Sequence, residues 1–372
     1  MKYYIIAGEA SGDLHGSNLI KSLKLADPLA NVRGWGGDLM QTEGAVLVKH
    51  YRDTAFMGVF EVIANAKAIR ENFELCHQDL LAFNPDVVIL IDYPGFNLRI
   101  ARFAKEHLIK VYYYISPKVW VWKESRVETI KKYVDKMFVI FPFEKPFYAK
   151  HNYEVEYEGN PLIDAIEDRK PSLCSRDDFQ KQHNLDNRPI IALLPGSRKQ
   201  EVSRLLPILI ESSSQFANYQ FVIAGTTVLG DSFYKQYMNG SNATVVYNQT
   251  YELLNLSTAA IVVSGTATLE TALFNVPQVV CYSTNPASYA IAKIFVKIQF
   301  FSLVNIVMGK EVVKEFLQRN LVASIKTELN RILNDTDYRN QMIANYTELR
   351  NKCGGRGASK RVGELMVKFL KG

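Results

Sequence analysis

Short, almost purely apolar runs recur along this chain, and the stretches between them return an apolar residue every three or four positions. In the first half the runs are Tyr3 to Ala7, Val32 to Trp35, Val46 to Val48, Val87 to Ile91, Val111 to Ile115 and Lys136 to Ile140. In the second they are Ile190 to Leu194, Phe221 to Ala224, Thr244 to Tyr247, Ala260 to Val263 and Gln278 to Cys281. A strand without polar alternation is buried on both faces, and helices on either side of a parallel sheet provide that burial. The pattern therefore predicts a doubly wound α/β fold, and predicts it twice. Between the halves, Asp164 to Arg188 carries Lys170-Pro171-Ser172 and many charges without a buried run, and reads as the connection. A chain of 372 residues has room for two such domains.

In open parallel sheets ligands bind beyond the carboxyl ends of the strands, and two such domains place a cleft between them. The residues that follow each run are thus the ones to weigh. After Ala260-Ile261-Val262-Val263 come Ser264-Gly265-Thr266-Ala267-Thr268-Leu269-Glu270 and then the apolar Thr271-Ala272-Leu273-Phe274. A buried strand, a small-residue turn and a helix leave open backbone N–H groups at the positive end of a helix dipole, a setting for phosphate. After Ile190 to Leu194 come Pro195-Gly196-Ser197-Arg198 and Glu201, a similar turn armed with a guanidinium that can fork onto a diphosphate. Either turn alone also describes an ordinary strand-to-helix connection. Two in one half point to a nucleoside diphosphate ligand.

Other strand ends are polar as well. The first run empties into Gly8-Glu9-Ala10-Ser11-Gly12-Asp13, whose glycine spacing is not the dinucleotide fingerprint, which argues against a nicotinamide dehydrogenase. Val87 to Ile91 ends in Asp92-Tyr93-Pro94-Gly95-Phe96-Asn97. A carboxylate at the tip of a buried strand suits a general base; capping a turn is the other use of an aspartate there. Ser116-Pro117-Lys118-Val119-Trp120-Val121-Trp122 holds two of the three tryptophans, rings suited to stacking on a sugar, lining an acyl chain, or filling a core.

Composition narrows the class. Hydrophobic and charged fractions of 48% and 22% are those of a soluble globular protein, no apolar run is long enough to cross a bilayer, and the N-terminus enters a strand without a signal-peptide profile, so the chain is expected in the cytosol. Cys76, Cys174, Cys281 and Cys353 form no paired spacing, and the histidines are scattered, which predicts free thiols and no metal site. The net charge of +6 agrees with an anionic surface or a phosphorylated substrate, while dispersed basic residues and the lack of a recognition module argue against nucleic acid.

Taken in order, Gly8 to Asp13, Ile91 to Asn97, Ser116 to Trp122, Leu194 to Arg198 with Glu201, Ser264 to Glu270, and Glu315-Phe316-Leu317-Gln318 resemble the lipid-A-disaccharide synthases, glycosyltransferases with the two-Rossmann-domain GT-B fold. The resemblance runs from residue 1 to about Gln318. It implies a first domain over 1–165 that faces the acceptor and the membrane, and a second over 166–344 that binds the UDP-sugar donor. It further implies a terminal helical stretch, about 345–372, that packs back on the first domain or is exchanged between the subunits of a homodimer.

The activity implied is transfer of a 2,3-diacylglucosamine unit from its UDP derivative onto 2,3-diacylglucosamine 1-phosphate, with inversion, giving a β-1,6-linked disaccharide and UDP, without metal or other cofactor. By that resemblance Asp92 is the base for the acceptor hydroxyl. Arg198 and the N–H groups of Ser264, Gly265, Thr266, Ala267 and Thr268 stabilise the departing diphosphate, and Gly196, Ser197 and Glu201 belong to the same donor (UDP) site. Glu270 takes the ribose hydroxyls, although an acid near a helix N-terminus is favourable without any ligand. Asn305 and Gln318 match polar positions of the donor site. Ser11, placed with Asp92 and Arg198 among the catalytic residues, is a candidate hydrogen-bond donor to the acceptor or donor phosphate, and equally a helix N-cap. Acylated substrates call for a peripheral contact with the inner membrane. Phe56 to Arg70, with Val59, Phe60, Val62 and Ile63, suits it, as do Trp120 and Trp122; Lys293 to Phe301 is another apolar-basic stretch, equally readable as a core-facing helix. The competing readings are a UDP-sugar epimerase on the same fold and a non-catalytic binding module for nucleotide-sugar or lipid surface.

Overall fold

The computed structural model describes residues 1–53, 66–121, 124–238, 240–283 and 299–372. The chain divides into two compact units, Met1–Glu167 with Cys353–Gly372, and Asp168–Lys352.

In the first unit the described strands are β1 (Lys2–Ala7), β2 (Asn31–Gly36), β3 (Val46–His50), β4 (Val87–Ile91), β5 (Lys110–Tyr114), β6 (Lys136–Val139) and β7 (Glu156–Tyr157), joined in a parallel sheet of order β3-β2-β1-β4-β5-β6-β7. Both faces are covered. Tyr4, Ile6, Val88 and Leu90 enter one core with Cys76, Leu80 and Ile100, while Tyr3, Ile5, Val87, Ile89 and Ile91 enter another with Leu19, Ile20 and Leu23. That is why these strands read as unbroken apolar runs, each large residue contributing about 1.5–3 kcal/mol on burial. β1 and β4 pair in register from Tyr3 opposite Val87 to Ala7 opposite Ile91, which sets the turns after Ala7 and Ile91 side by side.

The helix Ala358–Lys371 belongs to this unit, adding Val362, Met366 and Val367 to the second core. Its first turn is capped from a distance: the Asp164 carboxylate accepts from the backbone N–H of Gly357 at 2.5 Å and of Ser359 at 2.8 Å. Arg361 donates to the Glu158 carbonyl at 3.1 and 2.7 Å, fastening the returning chain. The preceding helix, Thr336–Lys352, belongs to the second unit, so the return begins at Cys353.

The second unit repeats the plan. β8 (Ile190–Leu194), β9 (Gln220–Gly225), β10 (Thr244–Tyr247), β11 (Ser257–Val263), β12 (Gln278–Tyr282) and β13 (Glu315–Leu317) form a parallel sheet of order β10-β9-β8-β11-β12-β13. In each sheet the strand order reverses once, between β1 and β4 and between β8 and β11. Chains of this topology open a crevice at that reversal, beyond the carboxyl ends of the two strands.

The expected strands are all present, and β7 and β13 are additions at the sheet edges. The stretch read as a bare connection is instead helical at Pro161–Arg169 and Arg176–His183, the latter capped by Ser175, whose hydroxyl accepts from the Asp178 N–H at 3.2 Å. The four cysteines are free thiols.

Candidate active site

At the β1/β4 reversal, Asp92 follows the last residue of β4 in a left-handed conformation (φ 42°), and Tyr93 continues in it (φ 50°). Non-glycine residues pay about 1–3 kcal/mol each for such backbone, which persists only where surroundings enforce it. Here Asn97 enforces it, donating from Nδ2 to the carbonyls of Ile91 at 3.2 Å and Asp92 at 2.8 Å, while the Tyr113 hydroxyl donates to the Asp92 carbonyl at 2.5 Å. The Asp92 N–H bonds the Tyr114 carbonyl of β5 at 3.2 Å. The bend turns the Tyr93 ring across Gly8, where a Cβ would overlap it, and sets it 5.7 Å from Phe96. Gly8 is therefore required by contact rather than by phosphate.

Burial pushes the Asp92 carboxyl up to about 6, the Glu9 carboxylate adds to the rise, and Lys118 opposes it. A carboxyl that ionises near the working pH is matched to general-base duty. Ser11 stands at the exposed start of the Ala10–Ala26 helix, and its hydroxyl donates to Glu9 Oε1 at 2.6 Å; Glu9, not Ser11, occupies the N-cap position. Asp13 serves the fold, accepting from the N–H groups of Gly37, Leu39 and Met40 at 2.8–3.1 Å and so capping the Asp38–Thr42 helix.

Beyond β5, Trp120 is half-buried, its ring edge-on to Phe143 at 4.9 Å. Beneath that turn lies an acid the sequence reading missed. Glu144 is 1% exposed, accepts from the N–H groups of Ile140 and Phe141 at 3.1 and 2.9 Å, and is pushed up to about 7 by burial. Its one visible sequence signal is the proline-containing turn Phe141-Pro142-Phe143 after β6. Val59, Phe60, Val62, Ile63 and Trp122, expected at the acceptor or membrane side, lie outside the described residues, as does most of the stretch Lys293 to Phe301.

At the β8/β11 reversal, the turn after β8 places Gly196 at φ 96° and leaves Ser197 and Arg198 exposed ahead of the Lys199–Ser213 helix. Glu201 folds back, its Oε2 2.8 Å from where a Gly196 Cβ would sit and its Oε1 3.9 Å from Arg198 Nη1. A carboxylate repels a diphosphate, so the place of Glu201 in the donor site is to hold the turn and the guanidinium.

The turn after β11 is narrower than its sequence implied. Ser264 N–H bonds Cys281 O at 2.9 Å and its hydroxyl donates to Phe301 O at 2.8 Å; Thr268 N–H bonds Gly265 O at 3.2 Å, and its hydroxyl accepts from Leu303 N–H at 3.3 Å. Ser264 and Thr268 are thus structural, and the N–H groups at the helix start that remain are those of Gly265, Thr266 and Ala267. Glu270 is the fifth residue of the Thr266–Leu273 helix, and burial raises its carboxyl above the ordinary range.

Asn305, expected to meet the donor, is fully engaged in the fold. Its Oδ1 accepts from Val312 and Val313 N–H at 2.7 and 3.0 Å, and its Nδ2 donates to Val313 O and Glu315 Oε1, both at 2.8 Å. Gln318, at φ 63° beyond β13, accepts from the Ser283 hydroxyl at 3.0 Å.

The chain matches the lipid-A-disaccharide synthetase family over residues 3–366. It is 37% identical to lipid-A-disaccharide synthase of Geobacter sulfurreducens over 98% of this chain and 96% of that one. The enzyme of that name from Coxiella burnetii (strain Dugway) is 36% identical, with 98% of each chain covered. Among solved structures, UDP-GlcNAc 2-epimerase from Neisseria meningitidis bound to UDP-GlcNAc superposes with a TM-score of 0.70 at 16% identity, covering 99% of this chain and 100% of that one. Anabaena HepE in complex with UDP and glucose gives 0.58 at 10% identity, covering 99% and 100%. These two likenesses show the GT-B fold, and the family match with the sequence identities shows the family: the chain belongs to the lipid-A-disaccharide synthase family.

Proposed function

We propose that this protein is an inverting glycosyltransferase that joins UDP-2,3-diacylglucosamine to 2,3-diacylglucosamine 1-phosphate, forming a β-1,6-linked disaccharide 1-phosphate and releasing UDP. Asp92 accepts the proton of the acceptor 6-hydroxyl as that oxygen bonds to the donor's anomeric carbon. The bond from that carbon to the UDP oxygen breaks on the opposite side, and its electron pair leaves with the diphosphate. Arg198 and the N–H groups of Gly265, Thr266 and Ala267 receive the charge that develops there. Glu270 accepts the ribose hydroxyls. The observation that supports the reading is a half-buried carboxyl on left-handed backbone at one sheet's reversal, with two strand-to-helix turns suited to an anion at the other's, in a chain of this family.

Both substrates are acylated, so the enzyme works at a lipid surface on the cytoplasmic side of the inner membrane, attached without spanning it; among the described residues no helix is long and apolar enough to cross. The test is to incubate the protein with UDP-2,3-diacylglucosamine, with and without the acceptor, and to follow UDP and disaccharide. UDP release that requires the acceptor supports the transferase. Conversion of the donor sugar without acceptor makes the protein an epimerase, and binding without turnover makes it a carrier.

A further inference from the structure

Glu270 has a partner that the reaction scheme does not mention. The Tyr251 hydroxyl donates to Glu270 Oε1 at 3.2 Å, reaching from the helix Thr250–Leu256 before β11 to the helix after it. Its ring packs on Phe274, one turn beyond Glu270, with centroids 5.3 Å apart. One side chain is thus fixed on the same helix at two points, and among the described residues only Oε1 of Glu270 is engaged, which leaves Oε2 for a ligand. We propose that Tyr251 is a positioning residue for Glu270, holding its carboxylate in the orientation and ionised form that accept a vicinal diol such as a ribose.

The proposal rests on the reading of Glu270 as a ribose ligand. A diol offers two O–H donors and needs an acceptor-only partner, which a carboxyl is when ionised. Burial works against that form in Glu270, and the Tyr251 hydrogen bond works for it. The other charged neighbours are committed elsewhere: Arg169 faces Tyr251 but pairs with Glu252 Oε1 at 3.0 Å, and Lys170 lies over the Phe274 ring at 5.9 Å.

The experiment is calorimetric titration of UDP and of 2′-deoxy-UDP into the full chain, its Tyr251→Phe and Glu270→Gln variants and the double variant, between pH 5.5 and 8. We expect the unmodified protein to prefer UDP by about tenfold or more, because a missing hydroxyl leaves a buried acceptor unpaired. Tyr251→Phe should cost about five- to twentyfold in UDP affinity, little for 2′-deoxy-UDP, and move the acid-side loss of UDP affinity to higher pH. In the Glu270→Gln background the same change should cost less than about twofold. If the unmodified protein does not distinguish the two nucleotides, the ribose reading of Glu270 falls. If it does, and Tyr251→Phe keeps both affinity and pH midpoint, the role given to Tyr251 falls while the ribose reading stands.

Discussion

Replacing Asp92 with Asn should slow turnover by orders of magnitude and strengthen the fold at once. The carboxyl is pushed from 3.8 up to about 6, chiefly by burial, then by Glu9. Each unit is worth about 1.36 kcal/mol, so keeping Asp92 ionised in the folded protein costs about 3 kcal/mol. A group whose folded value exceeds its unfolded one binds the proton more tightly when folded, so stability falls as pH rises from 3.8 towards 6 and stays lowered above it. Asn carries no proton to lose, and it also tolerates the left-handed backbone at this position. The stability difference between the two proteins should thus approach zero near pH 4 and reach up to about 3 kcal/mol in favour of the variant by pH 7.5. Turnover should move the other way, down by about 10²–10⁴, with UDP affinity retained. Urea denaturation across pH gives the first quantity, and UDP release with both lipid substrates gives the second. In the unmodified enzyme the acid limb of kcat/KM should fall near pH 6, where Asp92 loses its charge. Near-normal rates in the variant would remove Asp92 from the chemistry; a stability difference between variant and parent that is the same at pH 4 and pH 7.5 would show that the carboxyl is not held against its charge.

Other parts of the structure give equally definite expectations. Gly8→Ala places a methyl against the Tyr93 ring, so about 1–3 kcal/mol of stability should be lost and, through the neighbouring Asp92, much of the rate. Equal activity with a lowered denaturation midpoint would separate the ring contact from the catalytic turn. Asn305→Ala strands the N–H groups of Val312 and Val313 and one side of Glu315, and should cost about 3–5 kcal/mol without altering the UDP affinity of the protein that remains folded. A stable variant with weakened UDP binding would return Asn305 to the donor site. His15 is pushed down to about 4 by burial, against the pull of Asp164. Its neutral ring therefore supports the fold above pH 6.5, and up to about 3 kcal/mol of that support is lost as pH falls towards 4. His15→Gln should flatten the stability profile over that interval, and parallel profiles would refute the assignment.

The fold was legible because its strands are covered on both faces. Val87 to Ile91 and Ile190 to Leu194 show no polar interruption, and no other common arrangement buries such runs. β7 and β13 escaped for the complementary reason. Glu156–Tyr157 and Glu315–Leu317 lie at sheet edges, half-buried and too short to carry a pattern. The helix at Arg176–His183 was hidden by charge, since a helix with few apolar positions resembles a linker and only the Ser175 cap announces it; Pro161–Arg169 is too few turns long for its apolar positions to show a period.

The candidate site divides along the same line between local and distant causes. That Asp92 ends a buried strand is local, and the sequence displays it. That its backbone is left-handed is not local, because the bend is imposed by Asn97 from the next helix and by Tyr113 from the next strand. Polar residues in a motif pose a related problem: Asn305, Thr268 and Ser264 look like ligand contacts in a list of residues, yet each is occupied by backbone groups up to 37 positions away. Tyr251 is the converse, an unremarked aromatic in an ordinary helix that meets Glu270 only because the two helices flank one strand. A binding carboxylate and a structural amide therefore differ in their unspent hydrogen-bonding capacity. Among the described residues Glu270 spends one oxygen on Tyr251 and keeps the other, while all the acceptor and donor capacity of Asn305 is used, and that difference is what separates the two as ligands for a sugar hydroxyl.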